Sequence, residues 1–229
     1  MKELVRLEGV TKQFRNASVR AIDGISMVID KGEFVVIRGP SGSGKSTLLN
    51  LIAGLTFPSE GTVYLDGEAP RGRERWAKIR AEKIGFIFQA FNLLPTLTAL
   101  ENVQVPMLGI IRNPRERKRR AHELLASVGL EHRMNHKPAE LSGGECQRVA
   151  IARGLANSPL MILADEPTGN LDSTNSLAIM ALIKRVYESG KRTIIAVTHD
   201  SIFTSCATRI LFIRDGRLRE RAPVGLEGH

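Results

Sequence analysis

The sequence predicts an α/β fold: a parallel sheet with helices between its strands, a small antiparallel β region ahead of it and a helical insertion within it. Three observations carry that reading. Residues 34–37 are a short apolar run rich in β-branched side chains, which passes through a loop with Gly39, Gly42 and Gly44 into leucines at helical spacing. After residue 157, apolar runs alternate with helical patterns and end on polar residues, Asp165 and Glu166 after one and His199 after another. Between these parts, residues 90–157 carry helix caps and helical spacing but little strand signal.

The expected division is therefore one domain. Residues 1–89 and 158–217 form the α/β core with its antiparallel part, 90–157 form the helical part, and 218–229 are a tail, frayed from about residue 217. Forty-two per cent of the 229 residues are hydrophobic and 25% are charged, which excludes a disordered chain. No apolar run approaches the roughly 18 to 20 residues needed to span a bilayer. Nor does Met1-Lys2-Glu3-Leu4-Val5-Arg6 lead into a signal-peptide core, so the chain is expected in the cytoplasm, with any membrane role supplied by a partner. Cys146 and Cys206 are too few for a disulfide framework and lack metal-ligand spacing; both are expected to be reduced, with Cys206 as core filler. The net charge is +9, with basic residues crowded at 71–83, 112–120 and 209–221. Solvated helix faces and an anionic inner-leaflet surface are the readings for these clusters. Nucleic acid is not expected, because two Tyr and one Trp supply no aromatic-interleaved basic motif.

Taken in order, residues 4–7, 21–29 and 33–37 read as strands separated by turns at 15–18 and 30–33, and they are expected to form the antiparallel sheet. Phe14 lies at its edge, as a packing residue or a base-stacking one. Residues 61–67 look like a strand ending in an Asp-Gly turn, and 83–89 like a strand ending on polar Gln89. Thr98 suits the cap of a helix over 99–108, and Pro114 the first turn of a helix to Val128. A third helix starts near Gly143 or Gly144 and runs to Ala156. Strands over 160–166, 193–198 and 210–213 follow, with a helix over 173–187 between the first two.

The chemistry sits at residues 39–46, which fit G-x-x-x-x-G-K-[ST] between a strand and a helix. Gly42 and Gly44 let the backbone curl so that successive N–H groups point at phosphate oxygens, and the following helix adds free donors and the positive end of its dipole. Lys45 would reach the β- and γ-phosphates and the Ser46 hydroxyl would ligate Mg²⁺. A nucleoside triphosphate is the expected ligand. Such a site needs an acid at the end of a neighbouring strand for the Mg²⁺ shell, and Asp165 fits; Glu166 is placed to polarise the attacking water. Gln89 and His199 each end a predicted strand and are candidates to face the γ-phosphate. Leu141-Ser142-Gly143-Gly144-Glu145 reads as a second anion-binding helix start, serving a nucleotide held by another copy of the chain.

Together the 39–46 loop, Gln89, Leu141-Ser142-Gly143-Gly144-Glu145, Leu163-Ala164-Asp165-Glu166, Leu171-Asp172 and His199 resemble the ordered motif set of ABC transporter ATPase subunits, over about residues 3–217. The resemblance implies a P-loop NTPase (RecA-like) core with an antiparallel β subdomain and a helical subdomain, and an ATPase using ATP and Mg²⁺. It implies a head-to-tail dimer in which each ATP lies between one P-loop and the other copy's signature. By position, Phe14 would stack on adenine, and Gly39, Pro40, Ser41, Gly42, Ser43, Gly44, Lys45, Ser46 and Thr47 would hold the nucleotide. Ser142, Gly143 and Gly144 would contact the partner's γ-phosphate, and Asp172 would lie in the loop crossing the dimer seam. Ser46, Gln89 and Asp165 would hold the metal, and Glu166, His199 and Gln89 would serve catalysis. Glu145 and Cys146 depart from the commoner Gln-Gln or Gln-Arg neighbourhood, so no phosphate contact is assigned to Glu145.

Residues 89–103 and 166–173 are similar to the class that energises lipoprotein release and export of macrolides or antimicrobial peptides, which implies a membrane permease as partner. Phe91, Leu93, Leu94 and Leu97 are candidates for a groove receiving that partner's cytoplasmic helix, or for core. Two rivals remain open: a non-transporting regulatory ATPase acting through a permease-like partner, and a DNA-maintenance ATPase, which would interrupt the core with heptads absent here.

Overall fold

The computed structural model of the chain describes residues 2–14, 19–190 and 192–220. The turn expected at 15–18 and the last nine residues of the tail lie outside them. In chain order the elements are β1 (Glu3–Gln13), β2 (Arg20–Asp30), β3 (Phe34–Arg38), α1 (Lys45–Ile52), β4 (Glu60–Leu65), α2 (Gly72–Lys83), β5 (Ile84–Ile87), α3 (Ala99–Gln104), α4 (Pro114–Ser127), α5 (Gly143–Gly154), β6 (Met161–Asp165), α6 (Ser173–Gly190), β7 (Thr193–Val197), β8 (Arg209–Arg214) and β9 (Arg217–Glu220), with 3₁₀ turns between some of them. Two units divide the chain: Met1–Trp76 with Thr193–His229, and Ala77–Arg192.

In the first unit β2, β1 and β4 form an antiparallel sheet with β1 in the centre. Along β2 buried and exposed residues alternate, as one covered face requires. The third strand of this sheet is β4, which corrects the expectation that residues 33–37 would complete it. β3 instead pairs in parallel with β7 on one side and β8 on the other. Its Phe34, Val35, Val36 and Ile37 are all buried, as are all five residues of β7; such continuous apolar runs need cover on both faces, which the one-sided hairpin sheet does not offer. Asp66 and Gly67 turn the chain after β4, both with positive φ. β9 lies antiparallel on β8, so residues 217–220 are strand rather than frayed tail.

In the second unit β5 and β6 are parallel. Gly85 permits a close approach: a Cβ there would lie 2.2 Å from the carbonyl oxygen of Gly154, at the end of α5. α3 stops at Gln104, short of the expected Leu108, because Pro106 removes an N–H and the chain tightens into a 3₁₀ turn over Val105–Met107. α4 begins at Pro114, as expected, behind a cap from Asn113. α2 has no counterpart in the sequence reading: its 12 residues bury only Trp76 and Ile79, too few to draw a helical stripe. Trp76 packs where Gly54 leaves room, since a Cβ on that glycine would fall 2.0 Å from the indole. Of the two thiols Cys146 is the buried one and Cys206 is half-buried, reversing the core role expected for Cys206. Burial pushes the Cys146 thiol up, which keeps it unreactive. Among the described residues, no helix is long and apolar enough to cross a membrane.

Candidate functional site

α1 starts without the devices that usually close a helix. Gly44 precedes it at φ 103° with no side-chain cap, and its first turn holds no acid. Such an uncapped, acid-free start suits an external anion. The loop is held tightly from behind. A Cβ on Gly39 would lie 2.1 Å from the Ile213 carbonyl oxygen, and one on Gly44 would lie 2.3 Å from that of Ala21. Gly42, at φ 76°, has open space around it, so its requirement is conformational.

Lys45 is buried, and its ammonium donates to the carbonyls of Gly39 and Pro40, 2.9 Å each. That fold-back keeps the cation at the mouth of the loop. Buried Ser43 Oγ has no hydrogen-bond partner among the described residues. Pro40, Ser41 and Ser46 are exposed and Thr47 is half-buried. Phe14 is 47% exposed, with the Lys12 ammonium 5.2 Å from its ring centroid; a ring so open is available to a flat partner and is not core. His199 is exposed two residues after β7, and its carbonyl accepts a bond from Arg38 at 3.1 Å.

The acids and the signature belong to the second unit. Asp165 ends β6 and Glu166 follows it with a left-handed backbone, φ 44°, a conformation that L side chains adopt at some cost. The Glu166 carbonyl accepts the Gly169 N–H at 3.0 Å, closing a tight turn over 166–169. Buried Gln147 on α5 donates to the Pro167 carbonyl at 2.6 Å, tying that turn to the signature helix. Gln89 lies against the same turn. Asn170 Nδ2 donates to the Gln89 carbonyl at 2.9 Å, and a Cβ on Gly169 would come 2.8 Å from Gln89 Nε2.

Ser142 caps α5, so this helix start is partly closed by its own side chains. Ser142 Oγ accepts the Glu145 N–H at 3.3 Å, and the Glu145 carboxylate accepts the Ser142 N–H at 2.8 Å. The two ends satisfy each other as a capping box, which leaves the N–H groups of Gly143 and Gly144 outside it. The bond from the Ser142 N–H, with Arg133 beyond it, holds the Glu145 carboxyl below its ordinary range. Gly144 approaches Asn175, whose Oδ1 would lie 2.4 Å from an added Cβ. Asn175 is itself held by Asp172, which accepts its N–H at 2.8 Å and its side-chain amide at 2.6 Å. Those bonds depress the Asp172 carboxyl and fix the loop before α6.

The stretch after Gln89 is also fixed, by residues the sequence reading passed over. Fully buried Asn102 accepts the Leu94 N–H and donates to the carbonyls of Leu94, Leu97 and Thr98. Arg153 donates to the carbonyls of Phe91 and Asn92, two residues with positive φ. Phe91, Leu93 and Leu97 are left half-buried and Leu94 46% exposed, so this apolar row is surface more than core. A local signal existed for the two capping boxes, since Thr98-x-x-Glu101 and Ser142-x-x-Glu145 share the S/T-x-x-E pattern. None existed for Asn102, Arg153, Gln147 or Asn175, whose partners are set by tertiary packing.

A helix start built for an anion, a strand ending in two acids and a glycine-bearing second helix start define a class: nucleotide-hydrolysing ATPases with a P-loop. Residues 22–169 match the family described as ABC transporter. The chain is 45% identical to the lipoprotein-releasing system ATP-binding protein LolD of Aquifex aeolicus over 95% of its length and 97% of that protein's. It is 47% identical to the macrolide export ATP-binding/permease protein MacB of Azoarcus over 94% of its length, spanning 33% of that larger protein. Among solved structures, the ATP-binding cassette MJ0796 of Methanocaldococcus jannaschii, a dimer bound to ADP and Pi, superposes with a TM-score of 0.87 at 46% identity, covering 95% of this chain and 98% of that one. The chain belongs to the ABC transporter family and has the ABC ATPase fold. It is an ATP-binding and ATP-hydrolysing subunit of a transporter.

Proposed function

We propose that this subunit works as a head-to-tail homodimer closing on two ATP molecules and driving a separate membrane permease, at the cytoplasmic face of the membrane, in a system for lipoprotein release or for export of drugs or peptides. The observation that carries the reading is the open, acid-free start of α1 with Lys45 folded over its mouth. The dimer bound to ADP and Pi in the related cassette and the permease joined to the ATP-binding part in MacB support the assembly. On this reading residues 39–47 hold the triphosphate, Phe14 stacks on the base, and Ser142, Gly143 and Gly144 meet the phosphate of the other copy's nucleotide. Asp172 serves the seam between copies. The helical part, 90–157, presents the signature, and the row from Phe91 to Leu97 receives a cytoplasmic helix of the permease.

Glu166 acts as the base that draws a proton from the attacking water, with His199 and Gln89 hydrogen-bonding the phosphate or that water. Bound Mg²⁺ would supply positive charge to the phosphate oxygens. Ser46, Asp165 and Gln89 are the oxygen donors that would hold it, and with a single carboxylate among them they suit a hard cation that keeps several of its waters.

The test is Glu166→Gln. Turnover should fall by about a hundredfold or more, while ATP should still bind and should now trap a dimer visible by sedimentation. Normal turnover would remove Glu166 from the role of base. Co-purification with a membrane protein, lost when Leu93 and Leu94 are both changed to Asp, would establish the permease contact. Cargo movement in reconstituted vesicles would separate a transporter from a signalling ATPase.

A further inference from the structure

The signature helix carries an oddity that its glycines do not explain. Glu145 puts a carboxylate in the first turn of α5, beside the N–H groups of Gly143 and Gly144 that remain for a ligand. A helix N-terminus favours one anion. A terminal phosphate approaching the same end would meet a charge of its own sign, and like charges at such range oppose each other.

The second oxygen of that carboxylate is engaged. While Oε2 accepts the Ser142 N–H, Oε1 accepts from Arg133 Nε at 3.1 Å. Arg133 stands on the short 3₁₀ turn Glu131–Arg133, and its Nη1 lies 3.3 Å from His136 Nε2. The ion pair is partly exposed, 39% for the Arg133 side chain and 24% for that of Glu145. Pairs of that kind add little to stability, so folding alone gives a weak reason for this one. Its effect on the field at the helix start is the stronger reason, because it offsets a negative charge next to the donors of Gly143 and Gly144.

We propose that Arg133 is a positioning residue of the signature: it neutralises Glu145 and holds it in the capping box, so that the start of α5 accepts the terminal phosphate of ATP bound to a second copy. The proposal rests on the head-to-tail reading above. It assigns to this chain a compensating pair, in which the acid closes the cap and the arginine removes its cost to nucleotide binding.

The experiment measures the ATP concentration needed for half-maximal dimerisation in the Glu166→Gln background, alongside steady-state ATPase in the otherwise native chain. Arg133→Ala should raise both that concentration and KM by roughly five- to tenfold, with a smaller change in kcat and an unchanged melting temperature. Arg133→Lys should keep most of the native behaviour. Glu145→Gln preserves the cap through its amide oxygen, so Arg133→Ala combined with Glu145→Gln should return to within about twofold of the parent. A structural role for Arg133 would leave the double variant as impaired as Arg133→Ala, and that result overturns the proposal. So does an Arg133→Ala protein that dimerises at parental ATP concentrations. Failure of Glu166→Gln itself to dimerise with ATP would bring down the head-to-tail reading, and the role of Arg133 with it.

Discussion

The two glycine-bearing helix starts of this chain are built in opposite ways. α1 begins behind a left-handed glycine with no side-chain cap and no acid in its first turn. α5 begins behind a serine that exchanges hydrogen bonds with an acid three residues on. In the first, an uncapped helix start and a buried lysine suit an anion from outside. In the second, the helix has closed much of its own end. A helix start that is partly self-capped can present its remaining donors to a ligand held elsewhere; one with no cap of its own suits the holding. The glycines differ accordingly. Gly44 has a positive φ and a carbonyl oxygen 2.3 Å from where a Cβ would sit, whereas a Cβ on Gly143 would meet nothing nearer than Leu171 Cδ2 at 3.4 Å.

Several measurements would break or sharpen this contrast. The largest effect is expected from Lys45→Ala, which should weaken ATP binding by on the order of a hundredfold through loss of a charge-assisted contact. Unchanged affinity by calorimetry would mean that α1 is not the holding site. Next, Gly44→Ala should destabilise the chain by about 1–3 kcal/mol from backbone conformation alone, with the clash adding to it. Gly143→Ala should stay within about 0.5 kcal/mol. Urea melts of the pair would test the contrast directly, and equal losses would refute it. Ser142→Ala should cost about 1 kcal/mol through the lost cap, checked by thermal melting; no loss would show that the box is not holding α5.

The smallest effect is a pH dependence. The Glu145 carboxyl is depressed chiefly by the Ser142 N–H, so the folded form binds its proton less readily than the unfolded one. Its contribution is therefore complete above the ordinary glutamate range and lost as pH falls through the lowered value. Glu145→Gln should flatten the acid side of the stability profile; an unchanged slope there would remove the carboxylate from the cap.

Most of the proposed nucleotide site was legible in the sequence. The 39–46 loop, the acids after β6 and the Ser142 start of α5 are contiguous patterns whose chemistry depends on neighbours within a few residues. The helices with strong local signals, α4 behind Asn113 and Pro114 and α6 after Asp172, were equally legible. α2 was not, because a 12-residue helix burying two side chains has no stripe to see. The partner of β1 was misjudged because strand pairing is non-local: residues 33–37 and 60–65 both read as strands, and only the unbroken apolar run of the first points to a sheet covered on both faces. β9 was hidden by its Arg217-Leu218-Arg219-Glu220 composition, which resembles a solvated tail until β8 offers it an edge.

What the chain encodes by itself is the class of protein and the positions of the residues proposed to handle phosphate, since glycine spacing, a lysine and strand-end acids act through local backbone geometry. What only tertiary structure decided is how those residues are held. Asn102 and Arg153 fasten the stretch after Gln89, Gln147 ties the Glu166 turn to α5, and Arg133 meets Glu145 from twelve residues away. Each of these contacts satisfies or neutralises a polar group that folding has brought near it, and such a demand exists only once the surrounding elements have packed.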